Sequence, residues 1–170
     1  MQCLDKQTLR AGDYSVVGLE QVVAVERKSL ADFYSCLTLG RERFENALHR
    51  LAAVRYPLVV LECSMNDLQE KFTYVASGGI PMESQVCPLV AQSSLLSWQA
   101  RYRIPIVPCG NRDLAARVVL QHFDVVVRLV HDESGLRDSA ESMVETPAVG
   151  VAPAVAEELG PGGLQRETDG

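Results

Sequence analysis

Gly12-Asp13-Tyr14, followed eleven residues later by Val25-Glu26-Arg27-Lys28-Ser29-Leu30-Ala31-Asp32, is the stretch that decides how this chain folds. The valine-rich run before Glu26 and Lys28 predicts a β-strand, and Ser29 with Asp32 marks the start of a helix directly after it. Side chains alternate along a strand, so Glu26 and Lys28 share one face with Val22 and Ala24, while Arg27 turns away with Val23 and Val25. Asp13 to Val17 also has β character, and Gly18-Leu19-Glu20-Gln21 lies between the two runs, so the expectation is an antiparallel hairpin. In that hairpin Asp13 stands level with the Glu26–Lys28 end of the ladder.

Two carboxylates and an ammonium at one spot suit phosphodiester hydrolysis. Asp13 and Glu26 offer the oxygen ligands that a hard cation such as Mg²⁺ or Mn²⁺ prefers. Lys28 beside them orients water or offsets developing negative charge. Asp32 has two compatible readings, a capping carboxylate favoured by the helix dipole and a fourth member of the site. A lone Glu-x-Lys on a strand is usually a solvated ion pair; it is the combination with Gly12-Asp13 that points to chemistry.

Working outward, strands and helices alternate. Leu30 to about Val54 reads as helix broken at Gly40, with Phe33 and Leu37, then Phe44, Leu48 and Leu51, on the buried faces. Pro57 to Glu62 reads as a buried strand, and Ser64 to Glu83 as a long polar connection. Gln85 to Tyr102 is expected to be helical with Leu89, Leu96 and Trp98 inward. Ile104 to Val107 is a short strand, and Asn111 caps a last helix to about Leu129. This order implies an α/β domain with helices on a mixed central sheet.

The chain has 170 residues, enough for one ordinary domain. Its net charge of −6 is unevenly spread. Through His131 there are 14 basic and 13 acidic side chains, while from Asp132 onward there are 2 and 9. A near-neutral domain, residues 1–131, is thus expected to precede a disordered acidic tail of Pro, Gly and Ala, residues 132–170. A near-neutral domain binds DNA when its basic groups cluster on one face. Five scattered cysteines without a Cys-x-x-Cys pair indicate buried thiols in a reducing compartment rather than disulfides or zinc. No stretch reads as a membrane span or signal region, so the expected location is cytoplasmic, at the nucleoid.

Gly12-Asp13-Tyr14-Ser15-Val16-Val17-Gly18-Leu19-Glu20, then Val23-Ala24-Val25-Glu26-Arg27-Lys28-Ser29-Leu30 and Asp32, resembles the GD…ERKxxxD signature of XPF-type structure-specific endonucleases, in their stand-alone bacterial and phage version. That nuclease domain belongs to the restriction-endonuclease-like PD-(D/E)xK superfamily. The resemblance implies metal binding by Asp13 and Glu26, a catalytic role for Lys28 and a motif role for Asp32. It implies DNA contacts for Arg27 and Arg41, with Glu62 a weaker candidate. The implied activity is Mg²⁺- or Mn²⁺-dependent cleavage of DNA, branched or flapped forms included, in repair or recombination. Family members begin with a strand carrying Asp-x-Arg-Glu, which Met1 to Ala11 does not match. The expectation is therefore a sheet missing its first family strand, with a homodimer or partner subunit supplementing DNA affinity. The alternative is a catalytically inactive DNA-binding or scaffold subunit that retains the fold.

Overall fold

The computed structural model describes residues 8–75 and 81–144, with side-chain surroundings through residue 134. Its central sheet is parallel, with strand order β1 (Val23–Lys28), β2 (Tyr56–Leu61), β5 (Ile106–Pro108). β1 and β2 run in register from Val23 opposite Tyr56 to Lys28 opposite Leu61. Parallel sheets need both faces covered, and here they are. Ala24, Val59 and Leu61 pack against α1 (Leu30–Cys36), α2 (Arg41–Leu51) and α3 (Pro88–Tyr102). Val23, Val25, Leu58 and Val60 pack against α4 (Arg112–Val144) through Ala115, Val119, Phe123 and Val126, a helical stripe. A small antiparallel pair, β3 (Thr73–Val75) and β4 (Pro81–Glu83), lies within the expected polar connection.

Gly40 divides α1 from α2 as expected, because a side chain there would crowd the Ser35 carbonyl at 3.0 Å. Asn111 caps α4, its Oδ1 accepting from the Leu114 N–H at 2.9 Å. Three expectations need correction. The hairpin before β1 shrinks to a single antiparallel bridge, Tyr14 with Val25, at the sheet edge. Successive tight turns, Leu19 N–H to Val16 O and Val22 N–H to Leu19 O, carry the chain out of register with β1. Leu89 and Leu96 face solvent, 71% and 58% exposed, although Trp98 is 1% exposed. At 100° per residue both lie about half a turn round the helix from Trp98, whose face instead carries Ala91, Leu95 and Tyr102. Finally, α4 does not stop near Leu129: no proline interrupts it and it continues to Val144.

The chain divides into two units, residues 1–134 and 135–170. The first holds the sheet and its helices. In the second, the end of α4 is described; the rest of the expected tail, residues 145–170, lies outside the described residues, as do Cys3 and Gly78-Gly79.

Candidate active site

Gly12 sets the site's geometry. Its φ of +72° is left-handed, and a Cβ there would sit 2.8 Å from the Val25 carbonyl oxygen. Only glycine lets the chain lie so close to β1. The close approach is fixed by three backbone bonds: the Asp13 and Tyr14 N–H groups donate to Val25 O at 2.8 and 3.0 Å, and Val25 N–H donates to Tyr14 O at 2.9 Å. Asp13 consequently stands beside the C-terminal half of β1, where its Oδ2 accepts from the Arg27 N–H at 2.8 Å.

Glu26 is buried, at 8% exposure, and its Oε1 lies 2.6 Å from the Lys28 ammonium, as expected for neighbours on one strand face. Burial works against the charged lysine. The hydrogen bond and charge of Glu26, with the charge of Asp13, outweigh it and hold the Lys28 pKa above its ordinary value. The ammonium also stands 5.4 Å from the centre of the Phe44 ring. Asp32 is exposed at the first turn of α1, locked to Ser29 in both directions: its N–H donates to Ser29 Oγ at 3.1 Å, and that hydroxyl donates to Asp32 Oδ2 at 2.8 Å. Ser29 is thus the capping residue, the Asp32 carboxylate braces its hydroxyl, and this does not take the Asp32 side chain out of the site.

These four residues line one cleft of about 440 Å³, together with Arg10, Cys36, Arg43 and Arg50. Burial, ahead of the opposing effect of Lys28, pushes the Cys36 thiol above its usual range, so it is a neutral wall of the cleft.

The other sequence candidates are elsewhere. Arg27 projects to the α4 face, where it pairs with Glu62, and Arg112 Nε approaches the same carboxylate at 3.8 Å. Arg41 pairs with Glu45 at 3.0 Å and covers the Trp98 ring at 5.3 Å. Arg27, Arg41 and Glu62 therefore do not line the cleft; they tie elements together. Sequence reasoning passed over Arg10, Arg43 and Arg50. The signal was available for the last two: seven residues apart, they fall on one stripe of α2, beside the buried Phe44–Leu48–Leu51 face.

A family model for the ERCC4 domain matches residues 3–122, most of the chain. The chain belongs to the ERCC4 domain family. Its fold is similar to that of XPF from Aeropyrum pernix, at 19% identity and a TM-score of 0.53, over 85% of this chain and 62% of that one. A second structure, XPF from Aeropyrum pernix in complex with DNA, matches at 18% identity and a TM-score of 0.47, over 75% of this chain and 52% of that chain. This chain thus spans less than two thirds of the length of either XPF structure. No curated protein sequence matches. The resemblance read from Gly12-Asp13 and Glu26-Arg27-Lys28 holds, and so does the α/β architecture it implied.

Proposed function

We propose that this ERCC4-family chain is a divalent-metal-dependent DNA endonuclease. The observation that carries this reading is the convergence of Asp13, Glu26, Lys28 and Asp32 on one cleft. The donor set suits Mg²⁺ or Mn²⁺: two carboxylates from adjoining stretches of backbone, with a cleft wide enough to leave the remaining positions to water and phosphate oxygens. Asp13 and Glu26 would hold the ion, which when bound acidifies water and draws charge from a phosphoryl oxygen.

The chain's own groups do the rest. Lys28 keeps its proton well into alkaline pH, so it serves as a fixed positive charge facing the charge that builds on the phosphate, not as a base. The Arg27 N–H holds Asp13 in place. Ser29 fixes the exposed Asp32 carboxylate at the cleft edge. Branched and flapped duplexes are the proposed substrates, in repair or recombination.

Glu26→Ala is expected to lower Mg²⁺- or Mn²⁺-dependent nicking of a labelled fork by about 100-fold or more. Cleavage at the wild-type rate by that variant refutes the assignment. A second reading, a DNA-binding or scaffold subunit that does not cut, is favoured by one fact: the Asp13 and Glu26 carboxylates already have protein partners, the Arg27 N–H and the Lys28 ammonium. Wild-type chain that binds the fork yet leaves it intact in both metals would establish that reading instead.

A further inference from the structure

The cleft contains more positive charge than its carboxylates require. Arg10, Lys28, Arg43 and Arg50 line it against Asp13, Glu26 and Asp32. Lys28 is matched by Glu26. Among the described residues, Arg10, Arg43 and Arg50 make no ion pair. Arg27, Arg41, Arg55, Arg112 and Arg128 all do, at 4 Å or closer. Arg101, Arg103 and Arg117 are also without an ion pair but lie outside the cleft; what sets Arg10, Arg43 and Arg50 apart is that three such arginines line one cleft beside Asp13 and Glu26.

Their spacing is ordered. Arg43 and Arg50 lie two turns apart on α2, about 10 Å along its axis. Ala47 lies between them on the same stripe, and Phe44, the other α2 residue on the cleft wall, is turned about 100° from Arg43 toward the core. Two long cationic side chains at this separation can reach neighbouring phosphates of one DNA strand. Arg10, three residues before Asp13, faces the same cleft from the segment leading into Gly12. Arginine is suited to this task because its planar fork grips phosphate oxygens bidentately.

We infer that Arg43 and Arg50 of α2, with Arg10 opposite, form a phosphate-binding wall that seats the backbone of the DNA strand beside Asp13 and Glu26. This rests on the nuclease reading and assigns the strand contact to residues outside the Glu26-Arg27-Lys28 motif. Arg27 and Arg41, committed to Glu62 and Glu45, are not part of it.

The test is fluorescence anisotropy with a fluorescein-labelled forked DNA in Ca²⁺ over a range of salt. Arg43→Ala/Arg50→Ala is expected to weaken binding and to reduce the slope of log affinity against log salt by about 1 per arginine. Arg43→Lys/Arg50→Lys is expected to recover most of the slope. Arg101→Ala/Arg117→Ala, which removes two exposed charges outside the cleft, is expected to leave it unchanged. All variants change exposed side chains and are expected to melt with the wild type. A wild-type slope in Arg43→Ala/Arg50→Ala, or an equal loss in Arg101→Ala/Arg117→Ala, overturns the inference while leaving the nuclease reading intact. Wild-type chain that does not bind the fork at all overturns both.

Discussion

Gly12 is the residue on which Asp13 depends. A substituent there meets the Val25 backbone, which cannot give way without moving β1, and the left-handed φ adds its own strain. Gly12→Ala is therefore expected to cost about 2 kcal/mol or more in urea denaturation and to reduce cleavage beyond what the stability loss explains. Gly18 is the contrast. Its φ of +83° carries the same backbone strain, but a Cβ there meets nothing, so Gly18→Ala is expected to cost stability without touching activity. Unchanged cleavage by folded Gly12→Ala would show that the close approach does not position Asp13. At this scale the sequence was informative because strand parity follows from covalent geometry: Glu26 and Lys28 share a face, and Arg27 turns to the other. Where Arg27 then ends could not be read, since its partner Glu62 is 35 residues away and meets it only through the parallel pairing of β1 with β2.

Elements are joined here by polar links as well as by apolar packing. Trp98 of α3 packs edge-on against Phe44 of α2, with ring centres 4.9 Å apart, and its Nε1–H donates to Glu45 at 3.0 Å. That hydrogen bond, with the charges of Arg41 and Arg101, holds the Glu45 carboxyl below the usual carboxylate range. A depressed folded value means the contribution is present above the ordinary glutamate pKa of about 4.3 and is lost as pH falls through the folded value. Glu45→Ala is expected to cost about 1 kcal/mol at neutral pH by urea midpoint, and the difference from wild type is expected to shrink under acid. A difference that stays constant from neutral pH into acid would show that the link is apolar packing alone. The helices were legible where the apolar period was consistent, as for Phe44, Leu48 and Leu51. They were misread where two leucines invited burial on the face opposite Trp98. The hairpin failed for a related reason: β character in Asp13 to Val17 competed with turn-forming hydrogen bonds that no periodicity reveals.

At the scale of the molecule, one parallel sheet carries both the cleft and the two apolar layers, so groups that titrate in the site and in the core act on the same fold. Burial pushes the Cys63 thiol up to about 11, and the same cause raises Cys109 and Tyr34. Lys28 is raised through Glu26 and Asp13 despite its burial. Each of these groups keeps its proton longer in the folded chain than in the unfolded one. Their contribution is complete below the ordinary pKa values, about 8.5 for cysteine and 10.4 for lysine, and is lost as pH rises through the folded ones. The expected result is a melting temperature that is level near neutrality and falls steadily from about pH 9 to about pH 11. Cys63→Ala leaves a small cavity and starts from a lower melting temperature, but it removes one of the titrating groups and is expected to fall less steeply. A parallel decline in wild type and Cys63→Ala would mean that folding does not shift this thiol's pKa, and a melting temperature that rises over this range would reverse the sign of the whole argument. The acid end depends on a different set, Glu45 and Asp67, both held low by hydrogen bonds, so the two limbs of the pH profile report on different joints of one molecule.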